Sequence, residues 1–414
     1  MRSYMLNGFL ISLLIAHPLF GATWSVIKGG GGDFETIQGA VDAAEDGDLI
    51  LVSPGVYTST TEQVFETHGK SLTIQSTEGS ETTFIHGQGV RRGILCDMGE
   101  LTIEGFTITH CTAQPELYSA TYGGGLLCEG QTVATFSHCV FSNNMAPAYE
   151  DPDIGWFAGN GGAIACIAQS TLTLSDCSID RNTAEPYDGN YSIESTGGGI
   201  YCSQESVIHL SDSTVTQNRA STGAGIYCVG SLTQQLLSII ENSTIANNST
   251  FDVESRGGGG IMCVSGAIDR VSHCLIENNI ASTGGGMRYR YKGANTLIEY
   301  CSIQNNEAIN EGFGGGIRSD DAFEIGAEPS LFSNTFCANN PDSIWGKYHD
   351  LGENSEHEFC CDSDLNGDQY VGVDDVLTLV SYWDTNNIIA DINNDGIVGA
   401  DDLLQLIADW GACP

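Results

Sequence analysis

Along most of the chain, apolar residues sit at every second position in short bursts that Gly, Asn or Ser closes. Gly197-Gly-Gly-Ile-Tyr-Cys202 and Asp176-Cys-Ser-Ile-Asp-Arg-Asn182 both place apolar side chains at i and i+2, the period of a strand with one buried face. The first pattern returns at Gly123-Gly-Gly-Leu-Leu-Cys128, Gly161-Gly-Ala-Ile-Ala-Cys166, Gly223-Ala-Gly-Ile-Tyr-Cys228, Gly258-Gly-Gly-Ile-Met-Cys263, Gly284-Gly-Gly-Met-Arg-Tyr289 and Gly314-Gly-Gly-Ile-Arg-Ser319. Successive copies lie 26 to 38 residues apart, the range of solenoid repeats. One such coil cannot bury its inner face. Parallel coils stacked about 4.8 Å apart enclose a continuous core, so the pattern predicts a parallel β-helix of about ten coils.

The second pattern ends on Asn in one register: Asn144, Asn182, Asn218, Asn248, Asn279, Asn306 and Asn339. Asn tolerates the left-handed backbone of a tight corner, and stacked amides satisfy one another, so this ladder is expected to be structural. Cys128, Cys166, Cys202, Cys228 and Cys263 form one inward column, and Cys139, Cys177, Cys274 and Cys301 another. Buried thiols behave as small hydrophobes, the reading favoured here over disulfides between rungs. At the N-terminal end, Asp33 is a candidate cap for a helix with Ile37, Ala40, Val41 and Ala44 on one face. Asp46-Gly47 would stop that helix, and Asp48 to Val52 would form a strand. Such a helix would cover the open edge of the first coil.

Composition narrows the function. The chain has 414 residues, with 53 Asp plus Glu against 14 Lys plus Arg, a formal charge of -39. That sign excludes nucleic acid as a primary partner. Residues 1–22 carry Arg2, a short apolar run from Leu10 to Ala16 and the small pair Gly21-Ala22, the form of a secretory signal. The mature protein is therefore expected to be secreted, extracellular or at the cell surface, with no membrane span.

Insertions gather between the Asn corner and the glycine motif, from Met145 to Asn160, Thr183 to Thr196 and Ser249 to Gly257. They carry Tyr149, Trp156, Phe157, Tyr187 and Tyr191 among Glu150, Asp151, Asp153, Glu185, Asp188 and Glu194. Beside them the outward residue of the glycine motif stacks as Leu127, Ala165, Tyr201, Tyr227, Met262, Arg288 and Arg318, with Arg290 and Lys292 on the same face. Aromatic rings beside guanidinium groups suit a sugar chain, particularly an acidic one. The column predicts a polysaccharide-binding strip centred on Tyr201, Tyr227, Arg288, Arg290, Arg318 and Trp156. The alternatives are a polysaccharide lyase or glycoside hydrolase using loop carboxylates, and a non-enzymatic surface adhesin or structural protein.

The segment Phe34 to Tyr57, with Thr36-Ile-Gln-Gly-Ala-Val-Asp-Ala-Ala44 and Pro54-Gly-Val-Tyr57, resembles the start of pectin-lyase-like right-handed β-helix proteins. Gly161-Gly-Ala-Ile164 and Phe141-Ser-Asn-Asn144 resemble the repeats of polymorphic outer-membrane adhesins. The resemblance implies an all-β, right-handed parallel β-helix. The Asn-Thr-Asp, Gly-His-Gly and Arg-Ile-Lys triplets of pectinases are absent, so it implies no particular reaction.

Two further loops, Asp364 to Asp375 and Asp391 to Asp402, are offset by 27 residues. Twelve-residue calcium loops bind through oxygens at positions 1, 3, 5, 7 and 12. That assigns Asp364, Asn366, Asp368, the Tyr370 carbonyl and Asp375 to one ion, and Asp391, Asn393, Asp395, the Ile397 carbonyl and Asp402 to a second. Gln369 occupies position 6 of the first loop, where the second has Gly396, so the first site is expected to be the weaker. After each loop a helix is expected, carrying Val376, Leu379, Val380 and Trp383, or Leu403, Leu406, Ile407 and Trp410. Cys360 or Cys361 could bridge to Cys413 across the two ends. No helix precedes either loop, and this duplication resembles type I dockerins, which implies a calcium-stabilised module that docks on a cohesin-like partner. The expected organisation is a leader (1–22), a β-helix (23–345), a linker (346–360) and a small helical calcium-binding domain (361–414).

Overall fold

The computed structural model describes residues 21–115, 120–151, 155–186, 193–231, 238–251, 257–290, 296–309, 313–319, 328–357, 360–361, 363–366, 370–387, 389–393 and 395–412. Among them, parallel sheets of twelve, eleven, ten and six strands run the length of a solenoid. The first sheet goes from Thr23–Val26 to His349–Asp350, the second from Gly55–Tyr57 to Ser355–His357, and the third from Gln63–Glu66 to Ile344–Trp345. The fourth has two-residue strands, from Met145–Ala146 to Glu307–Ala308. The six coils from Leu126 to Ala308 visit the third, first, second and fourth sheets in turn, and the coils before and after them lack a strand of the fourth. Like residues pair with like: Cys128 faces Cys166, Cys166 faces Cys202, and Ile200 faces Ile226. The period of two thus becomes buried columns, such as Phe136, Leu174, Leu210, Ile240 and Val271, and each large aliphatic withdrawn from water contributes roughly 1.5–3 kcal/mol.

The glycine motif leads into the third sheet where backbones crowd. Gly197 holds φ +63, and a Cβ on Gly198 would lie 2.4 Å from the Arg219 carbonyl. The Asn ladder is continuous: each amide donates to the next Asn oxygen at 3.0 Å, from Asn144 through Asn306 to Asn339. The left-handed residue, however, is the one before it, for example Asn143, Arg181, Gln217 and Asn247. The corner thus tolerates Arg or Gln, while Asn is needed one place later for its amide.

Two expectations are corrected at the ends, and a third for Cys360 alone. Helix α1 (Ile37–Ala43) is capped by Thr36, whose hydroxyl accepts from the Gly39 N–H; Asp33 instead accepts from the backbone and side chain of Ser25. Its buried face, Ile37, Ala40 and Val41, covers the first coil as expected. The solenoid does not stop at 345, because His349–Asp350 and Ser355–His357 add rungs inside the expected linker. Cys360 is bridged to Cys337, whose partner on the next rung is His357, three residues before Cys360. Cys361 is also disulfide-bonded, and Cys413 lies outside the described residues. The other eleven cysteines are free and buried.

Helices α2 (Val373–Ser381) and α3 (Ala400–Ala408) follow the two loops. They pack through Leu379 and Leu406 onto Val371, Val398 and Ala390, and Tyr370–Val371 pairs antiparallel with Gly411–Ala412. No described helix is long and apolar enough to cross a membrane.

Candidate functional site

The outward column of the third sheet forms in the expected order, with Tyr201 beside Tyr227, Met262 beside Arg288, and Arg288 beside Arg318. It is not open along its length. Leu127 is 1% exposed, Ala165 0% and Met262 1%, and Leu127 and Ala165 form a small apolar cluster with Ile167, against which Tyr122 and Tyr201 pack. Tyr201 stacks on Tyr227 at 5.7 Å, and burial raises its phenol pKa well above the usual value. Arg288 is 8% exposed. The predicted strip is therefore corrected at Leu127, Ala165, Met262 and Arg288, which are buried, while Tyr201 and Tyr227 are half-buried and stacked on each other.

The far end is different. Arg318 and Arg290 are half-buried, and the rung after Arg318 is Trp345. The Arg318 guanidinium lies 4.8 Å from the Trp345 ring centroid and 5.8 Å from that of Phe313. Trp345 and Phe313 stack at 4.7 Å, and Phe313 is 45% exposed. The exposed Phe313 ring, stacked on the half-buried Trp345 with the Arg318 guanidinium alongside, forms a platform suited to the flat face of a sugar ring and to an acidic substituent. Sequence reasoning missed both aromatics. Pro341-Asp-Ser replaces the glycine motif before Ile344, so the repeat was not recognisable there. The available signal was spacing: Trp345 lies 27 residues after Arg318.

Trp156 lies in another place. It belongs to an antiparallel hairpin, Tyr149–Asp151 with Gly155–Phe157, where Tyr149 stacks on Phe157 at 5.3 Å and Trp156 stays exposed. Of the acids considered for catalysis, Asp151 is buried within that hairpin, and Glu194 accepts a hydrogen bond from Thr222. Asp153, Asp188, Tyr187, Tyr191 and Lys292 lie outside the described residues.

In the C-terminal loops the two repeats are built alike. Asp375 accepts the N–H groups of Asn366 and Gly372, and Asp402 accepts those of Asn393 and Gly399. Both are fully buried. Asp391 accepts from Asp395 and Gly396, and its pKa is raised, first by burial and further by Asp402 and Asp395. Gly396 has φ +95, the left-handed turn expected at position 6. No three carboxylate, His or Cys side chains converge among the described residues, so a loop of this kind must draw on Asn393 and the Ile397 carbonyl as well. Asp368 and Gln369 lie outside the described residues.

The charge of this segment decides what it needs. Residues 361–414 contain 11 Asp and no Lys, Arg or His. The buried carboxylates thus have no protein cation within the segment, and the oxygen set fits a hard divalent ion.

These features define a parallel β-helix carrying a small acidic helical module. Residues 75–238 match the family model of the right handed beta helix region, which gives the winding its hand. No curated protein matches the chain. Among solved structures, the pectate lyase Pel9A is 14% identical, with 86% of this chain and 84% of that one covered and a TM-score of 0.46. The pectin methylesterase of Aspergillus niger is 13% identical, with 81% and 92% covered and a TM-score of 0.39; that of carrot is 12% identical, with 82% and 89% covered and a TM-score of 0.38.

Proposed function

We propose that this is an exported polysaccharide-binding β-helix that engages an acidic glycan at the Phe313–Arg318–Trp345 platform. The observation that carries the reading is the Arg318 guanidinium set against two stacked aromatic rings, one of them well exposed. Arg290, half-buried on the neighbouring rung, adds a second positive charge to this end of the sheet. An uronate chain would stack on the rings and place a carboxylate near Arg318. Affinity electrophoresis through polygalacturonate tests this: Arg318→Ala and Trp345→Ala should each lose about tenfold in affinity, with thermal stability unchanged. Retardation equal to that of the parent would overturn the reading. Following new chain ends in the same incubation separates a binder from a lyase.

In the same reading, residues 361–414 are a calcium-folded docking module. Asp364, Asn366, Asp368, the Tyr370 carbonyl and Asp375 would hold one ion, and Asp391, Asn393, Asp395, the Ile397 carbonyl and Asp402 the other. Calcium would supply the positive charge that the segment lacks. Leu377 and Leu404, Val380 and Ile407, and Trp383 and Trp410, each pair at the 27-residue offset, are exposed. So many apolar side chains left facing water on so small a module support a protein partner of the cohesin type.

A further inference from the structure

A second site lies away from the platform, where the first sheet turns into the second. Asp212, Asn242 and His273 occupy the same left-handed corner position on three successive coils, with φ 50, 48 and 52. Their backbone N–H groups are taken by the next coil, at Glu241, Ser272 and Glu299, so only their side chains project outward. Opposite them stand Tyr382, Thr385, Asn386, Asn387 and Ile389 of the turn between the two calcium loops, and the two walls enclose a cleft of about 220 Å³. Pockets for drug-sized ligands run to roughly 300–1,000 Å³; this one is the size of a single sugar ring.

Its chemistry is selective. Asp212 is flanked by Asp176 and Glu241, which together with partial burial raise its pKa. A negative floor repels uronates, sulfates and phosphates. Asn242 and Asn386 offer amides that both donate and accept, as a polyol requires, and Asn387 an amide donor, while the Thr385 hydroxyl is taken up by the Tyr382 carbonyl and the Asn387 N–H. The Asn387 carbonyl oxygen is committed to the N–H groups of Ile389 and Ala390, which fixes the direction of its amide. His273 is held by stacking on Tyr300 at 4.9 Å, and Tyr382 and Ile389 supply apolar surface for the carbon face of a ring.

We infer that this cleft binds one neutral sugar unit, free or at the end of a glycan, between the solenoid corner and the C-terminal module. It stands independently of the Arg318 platform and would distinguish neutral from charged glycans. The test is calorimetric titration of the full chain, in calcium, with neutral hexoses, pentoses and their disaccharides, and with galacturonate. At least one neutral sugar should bind saturably at millimolar concentration, and galacturonate more weakly. Asp212→Ala and Asn387→Ala should each weaken that binding by about tenfold. His138→Ala, on the same ladder but outside the cleft, and Arg318→Ala, on the platform, should leave it unchanged. Absence of saturable neutral-sugar binding, an equal response to galacturonate, or binding unaffected in both cleft variants would overturn the inference. Loss in Arg318→Ala alone would assign the sugar to the platform instead.

Discussion

The solenoid and the C-terminal module solve the same problem, buried polar groups in a repeat, by opposite means. In the solenoid each rung answers the next. Asn248 accepts from the backbone and side chain of Asn218, and its own amide donates to Asn279 and to the Val215 carbonyl. Nothing from outside is needed. In the module the repeated groups are carboxylates, which cannot satisfy one another, and the segment contains no base. An amide column is self-complementary because it has a donor and an acceptor at every level; a carboxylate pair has acceptors only. The first repeat can therefore stack indefinitely, whereas the second has no complementary partner of its own within the segment.

The sharpest way to break this contrast is to remove calcium. With chelator the helical circular dichroism of α2 and α3 should vanish while the solenoid's strand signal persists. With free calcium a thousandfold above the dissociation constant, the ion contributes about 4.1 kcal/mol per site. Asp402→Ala should mimic the effect for the second loop. Helices that persist unchanged in chelator would remove the calcium reading and leave the acidic loops without a role.

The corresponding damage to the solenoid is Asn248→Ala. It leaves the Val215 carbonyl, two N–H groups of Asn218 and the Asn279 oxygen short of partners. At about 1–3 kcal/mol for each buried group left unsatisfied, the loss should be at least 3 kcal/mol even with some relaxation. It is read as a lower denaturant midpoint with an unchanged response in the module. A shift under about 1 kcal/mol would mean that water replaces the amide, and the ladder would then be decorative.

A smaller effect is expected at the exposed pair Leu377 and Leu404. Glu at both positions should change module stability by less than about 0.5 kcal/mol, since neither side chain is buried. Co-purification with a cohesin-type partner should nevertheless be lost. A large fall in stability would show that these residues pack against the chain itself.

How much of this was legible depended on whether a residue's role repeats. The β-helix, the Asn register and the Cys columns follow from periodicity alone, and each appears where the pattern puts it. The exposure of the outward column does not follow, because alternation distinguishes in from out without saying what lies on top of the outer face; hence Leu127 and Met262 were taken as surface. Trp345 was missed where Pro341 interrupts the motif, and the Cys337–Cys360 bridge because it depends on two rungs placed in an expected linker. The cleft was not visible at all. Its walls are Asp212, Asn242 and His273 on one side and Tyr382, Thr385, Asn386, Asn387 and Ile389 on the other, and no spacing rule joins a solenoid corner to a helical turn.

The gentlest probe is the thiol column, where the two halves of the comparison meet different chemistry in the same element. Among the described residues, the disulfide-bonded cysteines are Cys337, Cys360 and Cys361, all C-terminal to the thiol columns. The eleven buried thiols upstream stay reduced. Burial pushes Cys111 up to about 12, and raises Cys263 as well, so almost no thiolate forms at these two at neutral pH. A thiol reagent should accordingly find none of the eleven in the native protein and all of them in denaturant. Cys228→Ala, which removes one sulfur from a fully buried column, should cost only about 1 kcal/mol. If the native protein released several thiols at once, the coils would be opening as units, and the self-sufficiency ascribed to the amide ladder would have to be shared with whatever closes the ends.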